Sequence, residues 1–182
     1  MKTESNVKFI LRLALTLFLI TSVVAALLAV VNNITAPVIA ASNEAKTQAA
    51  IEAVLPGGGE EIEIPEGHPL VSAAYESETG YAVQVTPGGF DNTITMMVGV
   101  DKEGNVLGIS IISHTETAGL GAVAAATTSA GEAFRSQFVG MSGTVSVDKD
   151  GGEVAAITGA TITSRAVCAG VNAALDFVAS LG

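Results

Sequence analysis

The stretch Ile157-Thr158-Gly159-Ala160-Thr161-Ile162-Thr163-Ser164-Arg165 runs directly into an apolar pattern of helical period, and its reading governs the rest of the chain. Four hydroxyls, on Thr158, Thr161, Thr163 and Ser164, surround a glycine, and Arg165 adds a fixed positive charge. A helix beginning here aims unpaired backbone N–H groups at the same spot, so the segment has the makings of an anion site that suits a phosphate. The same residues also suit a plain helix cap, in which a hydroxyl satisfies one backbone donor and stabilises the helix by about 1 kcal/mol. Taken alone, the residues leave both readings open.

Outward from this point the pattern predicts a compact α+β domain. Residues 164–181 read as the closing helix, with Ala166, Val167, Gly170, Val171, Ala174, Leu175 and Val178 on its buried face and Asn172 and Asp176 turned outward. Cys168 lies beside that face. Upstream, residues 144–147 and 153–157 flank the turn Asp148-Lys149-Asp150-Gly151-Gly152, and residues 130–138 suit a short helix. Strand-like runs at 70–76 and 81–86 flank Glu78-Thr79-Gly80, with Tyr81, Val83 and Val85 alternating against Ala82, Gln84 and Thr86 as in a half-buried strand. Ile94, Met96, Val98 and Val100 repeat the alternation. Asp101-Lys102-Glu103-Gly104 then turns the chain into residues 106–113, a hairpin expected at the middle of an antiparallel sheet. Two polar loops stand at strand ends: Thr86-Pro87-Gly88-Gly89-Phe90 and His114-Thr115-Glu116-Thr117-Ala118-Gly119-Leu120-Gly121. Read bare, each is an ordinary turn or a place where binding residues gather, and His114 is a structural histidine or a general base.

The N-terminal part has a different character. No charged residue occurs from 13 to 43, and residues 13–31 are apolar except for Thr16, Thr21 and Ser22, enough for a helix to cross a bilayer once. Lys2, Lys8 and Arg12 precede the run, so the bias of basic residues puts Met1 in the cytoplasm and the chain beyond Asn32 outside. A cleaved signal peptide, cut after the small residues Val38 and Ala40, is the competing reading; its apolar core is ordinarily about 7–15 residues, shorter than this one. Asn32-Asn33 is expected to close the span and Pro37 to open a stalk helix over about residues 36–55. Pro56-Gly57-Gly58-Gly59 stops it, and the acidic residues 60–66 read as a solvated linker. The expected divisions are therefore a tip and anchor at 1–33, a stalk and linker at 34–66, and an extracytoplasmic domain at 67–182.

Composition narrows the function. Cys168 is the single cysteine, so no internal disulfide exists, and with only His68 and His114 beside it a zinc or haem site has too few ligands. Beyond the apolar run, five basic residues face 17 acidic ones, a balance that argues against nucleic acid as a partner.

TGAT followed by ITSRAV resembles the flavinylation motif, Ser or Thr then Gly-Ala-Thr, of the family formed by the G subunit of Rnf complexes and the C subunit of the sodium-pumping NADH:quinone reductase. The resemblance implies that Thr161 carries FMN as a phosphoester, with Thr158, Gly159, Ala160 and Arg165 around the phosphate. An aspartate that commonly precedes the motif in the family is replaced here by Ala155 and Ala156. HTETAGLG is similar to a second family signature, His-x-Glu-Thr-Pro-Gly-Leu-Gly, with Ala118 in place of proline; it implicates Glu116, Thr117, Leu120 and Gly121 at the flavin. A glycine-rich loop approaches the flavin in the family at the place of Gly88-Gly89. Ile34-Thr35-Ala36-Pro37 and Val54-Leu55-Pro56 resemble the family's stalk.

By this resemblance the chain is a single-pass cell-membrane electron carrier with covalent FMN, in a complex that couples ferredoxin/NAD electron transfer to movement of sodium ions or protons. Its implied partners are the other membrane subunits of the Rnf complex and the flavin transferase that attaches FMN, and no turnover is expected of it alone. Two alternatives remain at this point. One is the quinone-reductase C subunit, typically longer between anchor and flavin loop; the other is an anchored extracytoplasmic binding domain with no redox role, whose TGAT turn is only a cap.

Overall fold

The computed structural model describes residues 2–181, with side chains from residue 7 onward. The expected cytoplasmic placing of Met1, and the Lys2 side chain that supports it, lie outside the described residues. The chain divides into two compact units, Met1–Ala45 and Lys46–Gly182.

The described residues of the first unit are all helical, as part of helix α1, Lys2–Val54. Its apolar side chains are exposed on every side, Leu15 at 67% and Phe18 at 69% among them, as a segment facing hydrocarbon requires. The hydroxyls that interrupt the apolar run turn back onto the helix. Thr16 donates to the carbonyl of Arg12 at 2.8 Å, Thr21 to that of Leu17 at 3.0 Å, and Thr35 to that of Val31 at 2.9 Å. Such back-bonding satisfies these hydroxyls within the helix, as lipid demands. The expected break at Asn32-Asn33 is not there, and no separate stalk helix begins at 36: α1 continues through Pro37. Proline removes one helical hydrogen bond, but an apolar helix rich in alanine and β-branched residues tolerates that loss, especially with Thr35 bonding nearby.

In the second unit a five-stranded antiparallel meander runs in the order β1-β2-β3-β4-β5: Glu60–Glu61, Val71–Glu76, Gly80–Val85, Thr95–Asp101 and Val106–Ser113. The β4–β5 hairpin pairs Met97 with Ser110 and Val98 with Ile109, and it lies at an end of the sheet, since β5 is an edge strand. The middle position expected for it belongs to β3. Short helix α2, Ser129–Ser136, and closing helix α3, Thr161–Ala179, pack on one face. There Val167, Val171, Ala174, Leu175 and Val178 meet Phe134, Phe138, Val83, Val85, Met96 and Val98. Each such side chain fully removed from water contributes about 1.5–3 kcal/mol. At Gly170 a Cβ would press on Met96, Pro87 and Val85, so α3 approaches the sheet more closely than a side chain there allows.

The sheet has a second covered face, contrary to the half-buried alternation expected of β3. The last turns of α1, within the second unit, lay Ala50, Ile51 and Val54, with Leu55, against Ala82 and Met97. Ala82 is buried on this side while Val83 and Val85 are buried beneath α3 on the other, so both faces of β3 are covered. Gly99 makes room for this contact, because a Cβ there would strike the Val54 carbonyl. The acidic residues 60–66 are also less free than expected: Glu60 and Glu61 pair with Glu76 and Tyr75, and Ile62 and Ile64 pack on the core. Residues 144–147 and 153–157 form no ladder; a single bridge, Val147 with Val154, closes a 3-10 turn at Asp148–Asp150. Asn172, expected to face outward, is turned in. Its side chain accepts from the Val145 N–H at 2.7 Å and donates to the Val145 carbonyl at 2.8 Å, which ties α3 to that irregular segment. Cys168 is buried, and desolvation pushes its thiol up to about 11.

Candidate functional site

The start of α3 is built unlike an ordinary cap. Ala160 occupies the N-cap position and no side chain caps the helix. The first helical bond is that of the Ser164 N–H to the Ala160 carbonyl at 3.0 Å, so the preceding N–H groups have no acceptor inside the helix. The hydroxyls of its first turn are engaged elsewhere. Ser164 donates to the Ala160 carbonyl and accepts from the Ile157 N–H, each at 3.0 Å, and Thr163 donates to a Glu116 carboxylate oxygen at 2.5 Å. Thr161 accepts from Lys149 Nζ at 3.0 Å. The simple capping reading of this segment therefore does not hold. Gly159 has φ +77°, a left-handed conformation that turns the chain into the helix and that favours glycine.

Beside this helix start is a cavity of about 250 Å³ lined by Glu116, Thr117, Leu120, Gly121, Gly159 and Ala160, with Phe90, Thr161, Ile162 and Thr163 completing it. The sequence motifs at 116–121 and 158–161 thus converge on one place. Glu116 holds them together. Only 8% exposed, it accepts from the Phe90 N–H at 2.8 Å with one oxygen and from Thr163 with the other, joining three segments. Two glycines make room for its carboxylate, since a Cβ at Gly89 or Gly121 would collide with it. Gly88 stands away from the carboxylate, in a bridge with Thr93.

Other expected members lie elsewhere. Thr158 lines a separate groove with Gly119, Phe134 and Ile157. Arg165 is drawn away to Asp150, its Nε donating at 2.7 Å and its second terminal nitrogen at 2.6 Å. That guanidinium holds the Asp150 carboxyl below the usual aspartate value, and the carboxylate in turn raises the arginine. His114 is not among the lining residues; its Nδ1 accepts from the Glu116 N–H at 3.2 Å, a local turn contact. Sequence reasoning missed Phe90, Ile162 and Lys149, and it placed the Thr163 hydroxyl among the anion ligands, whereas that hydroxyl donates to Glu116. Phe90 and Ile162 offered one signal, being large apolar residues within polar loops; they are 65% and 50% exposed at the cavity mouth.

This surface suits a ligand that is flat and apolar at one end and anionic at the other. Phe90, Leu120 and Ile162 provide apolar walls for a ring, while the open helix N–H groups, the Thr161 hydroxyl and the Lys149 ammonium suit a phosphate. FMN has that chemistry, and the residues present fit it.

Comparison with known proteins agrees: residues 89–176 match the FMN-binding domain family, so the second unit contains an FMN-binding domain. Residues 1–54 match the RnfG N-terminal region. The chain is 30% identical to the G subunit of the sodium-translocating ferredoxin:NAD+ oxidoreductase complex of Acetobacterium woodii, over 99% of this chain and 97% of that protein. It is 29% identical to the G subunit of an ion-translocating oxidoreductase complex of Methanosarcina acetivorans, over 97% of this chain and 98% of that protein. Over 54% of its length it is 40% identical to the G subunit of the proton-translocating ferredoxin:NAD+ oxidoreductase complex of Clostridium ljungdahlii, covering 52% of that protein. The chain belongs to the family of G subunits of Rnf-type ion-translocating oxidoreductase complexes. It is a membrane protein with an apolar N-terminal helix and an FMN-binding domain.

Proposed function

We propose that this chain carries electrons within an Rnf-type complex through an FMN esterified by its phosphate to Thr161, on the outer side of the membrane. The observation that carries this reading is the position of the Thr161 hydroxyl, at an uncapped helix start and on the wall of a cavity with apolar sides. FMN supplies one-electron uptake and release, which suits a relay. Phe90, Leu120 and Ile162 bind and shield the ring, and Glu116 fixes the spacing of the loops that hold it. The N–H groups at the start of α3 hold the phosphate charge. A tether has a purpose outside the cell, where a dissociated cofactor is lost.

Attachment requires a flavin transferase as a partner, and the relay requires neighbouring membrane subunits on either side of it. Orientation follows from Lys8 and Arg12, with Lys2, on the short side of the anchor, residues 1–33. Relatives named for sodium and for proton translocation both resemble this chain, so the reading covers either coupling ion.

Peptide mass mapping of protein purified from its native membrane tests the attachment: the peptide containing Thr161 is expected to carry one FMN. Thr161→Val keeps the β-branched shape and removes the ester oxygen, so the assembled complex should lose both ferredoxin-to-NAD electron transfer and ion uptake. An unmodified Thr161 in native protein, or full activity with the flavin absent, overturns the reading.

A further inference from the structure

We propose that Lys149 is the positioning residue of the flavin ester, presenting the Thr161 hydroxyl for attachment and afterwards neutralising the phosphate bound to it. This rests on Thr161 being the attachment point. The two residues are 12 apart in sequence, yet Lys149 Nζ lies 3.0 Å from Thr161 Oγ1.

The turn that carries Lys149 is held from several directions. The Asp148 carboxylate accepts from the Lys149 N–H at 2.9 Å and from the Ala156 N–H at 3.3 Å. The Asp148 N–H donates to the Val154 carbonyl at 2.8 Å, and the Gly152 N–H donates to the Val147 carbonyl at 3.0 Å. Next to Lys149, Asp150 binds Arg165 through two hydrogen bonds and so fastens the turn to the first turns of α3. That pair also settles which cation is available. Arg165, the basic residue nearest the motif in sequence, is neutralised by Asp150, whereas the ion pairs among the described residues, Lys102 with Glu76 and Arg165 with Asp150, do not include Lys149. Its ammonium is therefore not spent on a carboxylate and stands at the hydroxyl.

In esterification the Thr161 Oγ–phosphorus bond forms while the phosphoanhydride of a flavin dinucleotide donor breaks. The hydroxyl proton passes to a base of the transferase, a nucleoside monophosphate departs, and no electrons change hands. A lysine donating to Oγ1 occupies one lone pair of the hydroxyl and so fixes the direction of the other, which attacks, and the lysine then faces a phosphodiester of full negative charge. A charge-assisted hydrogen bond is the strong kind, and its loss corresponds to roughly tenfold in rate or more.

The test uses the full-length chain in detergent with its flavin transferase and flavin adenine dinucleotide as donor. Incorporation is followed by flavin fluorescence on denaturing gels. Lys149→Gln is expected to lower the initial rate roughly tenfold, and Lys149→Arg to stay within about threefold of the parent protein. After exhaustive loading, the phosphorus-31 resonance of the ester is expected to move in Lys149→Gln. A parental rate in Lys149→Gln, an equal slowing in both variants, or an unmoved resonance overturns the proposal. If the parent protein itself takes no flavin at Thr161 under these conditions and in its native membrane, the attachment reading has failed instead, so the two failures are distinct.

Discussion

Helices α1 and α3 are both long and apolar enough, by length and composition, to cross a membrane, yet they have opposite surroundings. None of the most apolar window of α1 is buried, whereas 61% of that of α3 is. α1 is apolar all round over residues 13–31, apart from three hydroxyls; α3 has one apolar face on the sheet, a polar tie at Asn172, and two carboxylate contacts at its first turns, Glu116 on Thr163 and Asp150 on Arg165. Apolar content alone does not distinguish an anchor from a core. The distinction lies in whether the rest of the chain supplies a complementary surface, which α3 has in the sheet.

The largest expected effects come from placing one charge in each helix. Val171→Asp buries an unpaired carboxylate at a fully enclosed position and costs more than about 4 kcal/mol, comparable with the whole stability of a small domain. The flavin domain should become protease-sensitive while the protein stays in the membrane pellet. Leu19→Asp, on the exposed surface of α1, costs about 3 kcal/mol of insertion and should do the reverse, depleting the membrane fraction but leaving a protease-resistant domain. Protease resistance and pelleting, measured together, decide; the same outcome for both variants breaks the contrast.

The last turns of α1 blur it, because there the anchor helix becomes a core element. Gly99→Val drives a side chain into the Val54 backbone and is expected to cost about 2–3 kcal/mol, read as a lower denaturant midpoint with an unchanged slope. Equal midpoints would mean that these turns add little to the domain.

These cases also show what was legible in the sequence. All seven residues expected on the buried face of α3 are buried, because a 3.6-residue period records one-sided packing directly. The covering of the second sheet face was not legible, since residues 46–55 carry the same period whether they form a free stalk or a packed one. Gly99, opposite Ala82 in the ladder, was the available sign. At the site, the short motifs located Gly159, Ala160, Thr161 and the loop 116–121, because backbone conformation and local hydroxyl density are written in adjacent residues. The partner of each side chain was not. Arg165 reads as a phosphate ligand until Asp150 is brought beside it, and Lys149 reads as a turn residue until the fold brings it to Thr161.

Restraint of the α3 start by Glu116 is the next effect in size. Glu116→Ala leaves the Phe90 N–H and the Thr163 hydroxyl without their buried acceptor, at a cost of about 1–2 kcal/mol, and loosens the loops around the cavity. Glu116→Gln can accept from the same N–H while removing the negative charge, so it should recover most of the stability. Both variants should move the absorption spectrum or midpoint potential of the bound flavin, the glutamine variant toward easier reduction. If thermal unfolding separates the two variants but neither moves spectrum nor potential, Glu116 serves the fold alone.

The smallest effect belongs to the exposed pair at the other side of the same helix start. The Asp150 carboxyl lies below its ordinary value of 3.8, chiefly through its hydrogen bonds from Arg165 and then through the arginine's charge, against some desolvation. A carboxyl whose folded value is depressed lends stability above its unfolded value and loses it as pH falls through the folded one. The Arg165 side of the linkage, with a raised value, is lost only in strong alkali and does not enter the acidic range. Because both partners are solvent-exposed, screening keeps the contribution small, and added salt should reduce it further. Arg165→Ala is therefore expected to lower Tm slightly at neutral pH, with the difference from the parent protein shrinking as pH falls below 3.8 and Asp150 protonates. Comparing the two proteins cancels every carboxylate they share and isolates this pair. A difference that persists undiminished in acid would mean that Arg165 stabilises α3 through its aliphatic stem, and that the turn carrying Lys149 is held by Asp148 without help from the ion pair.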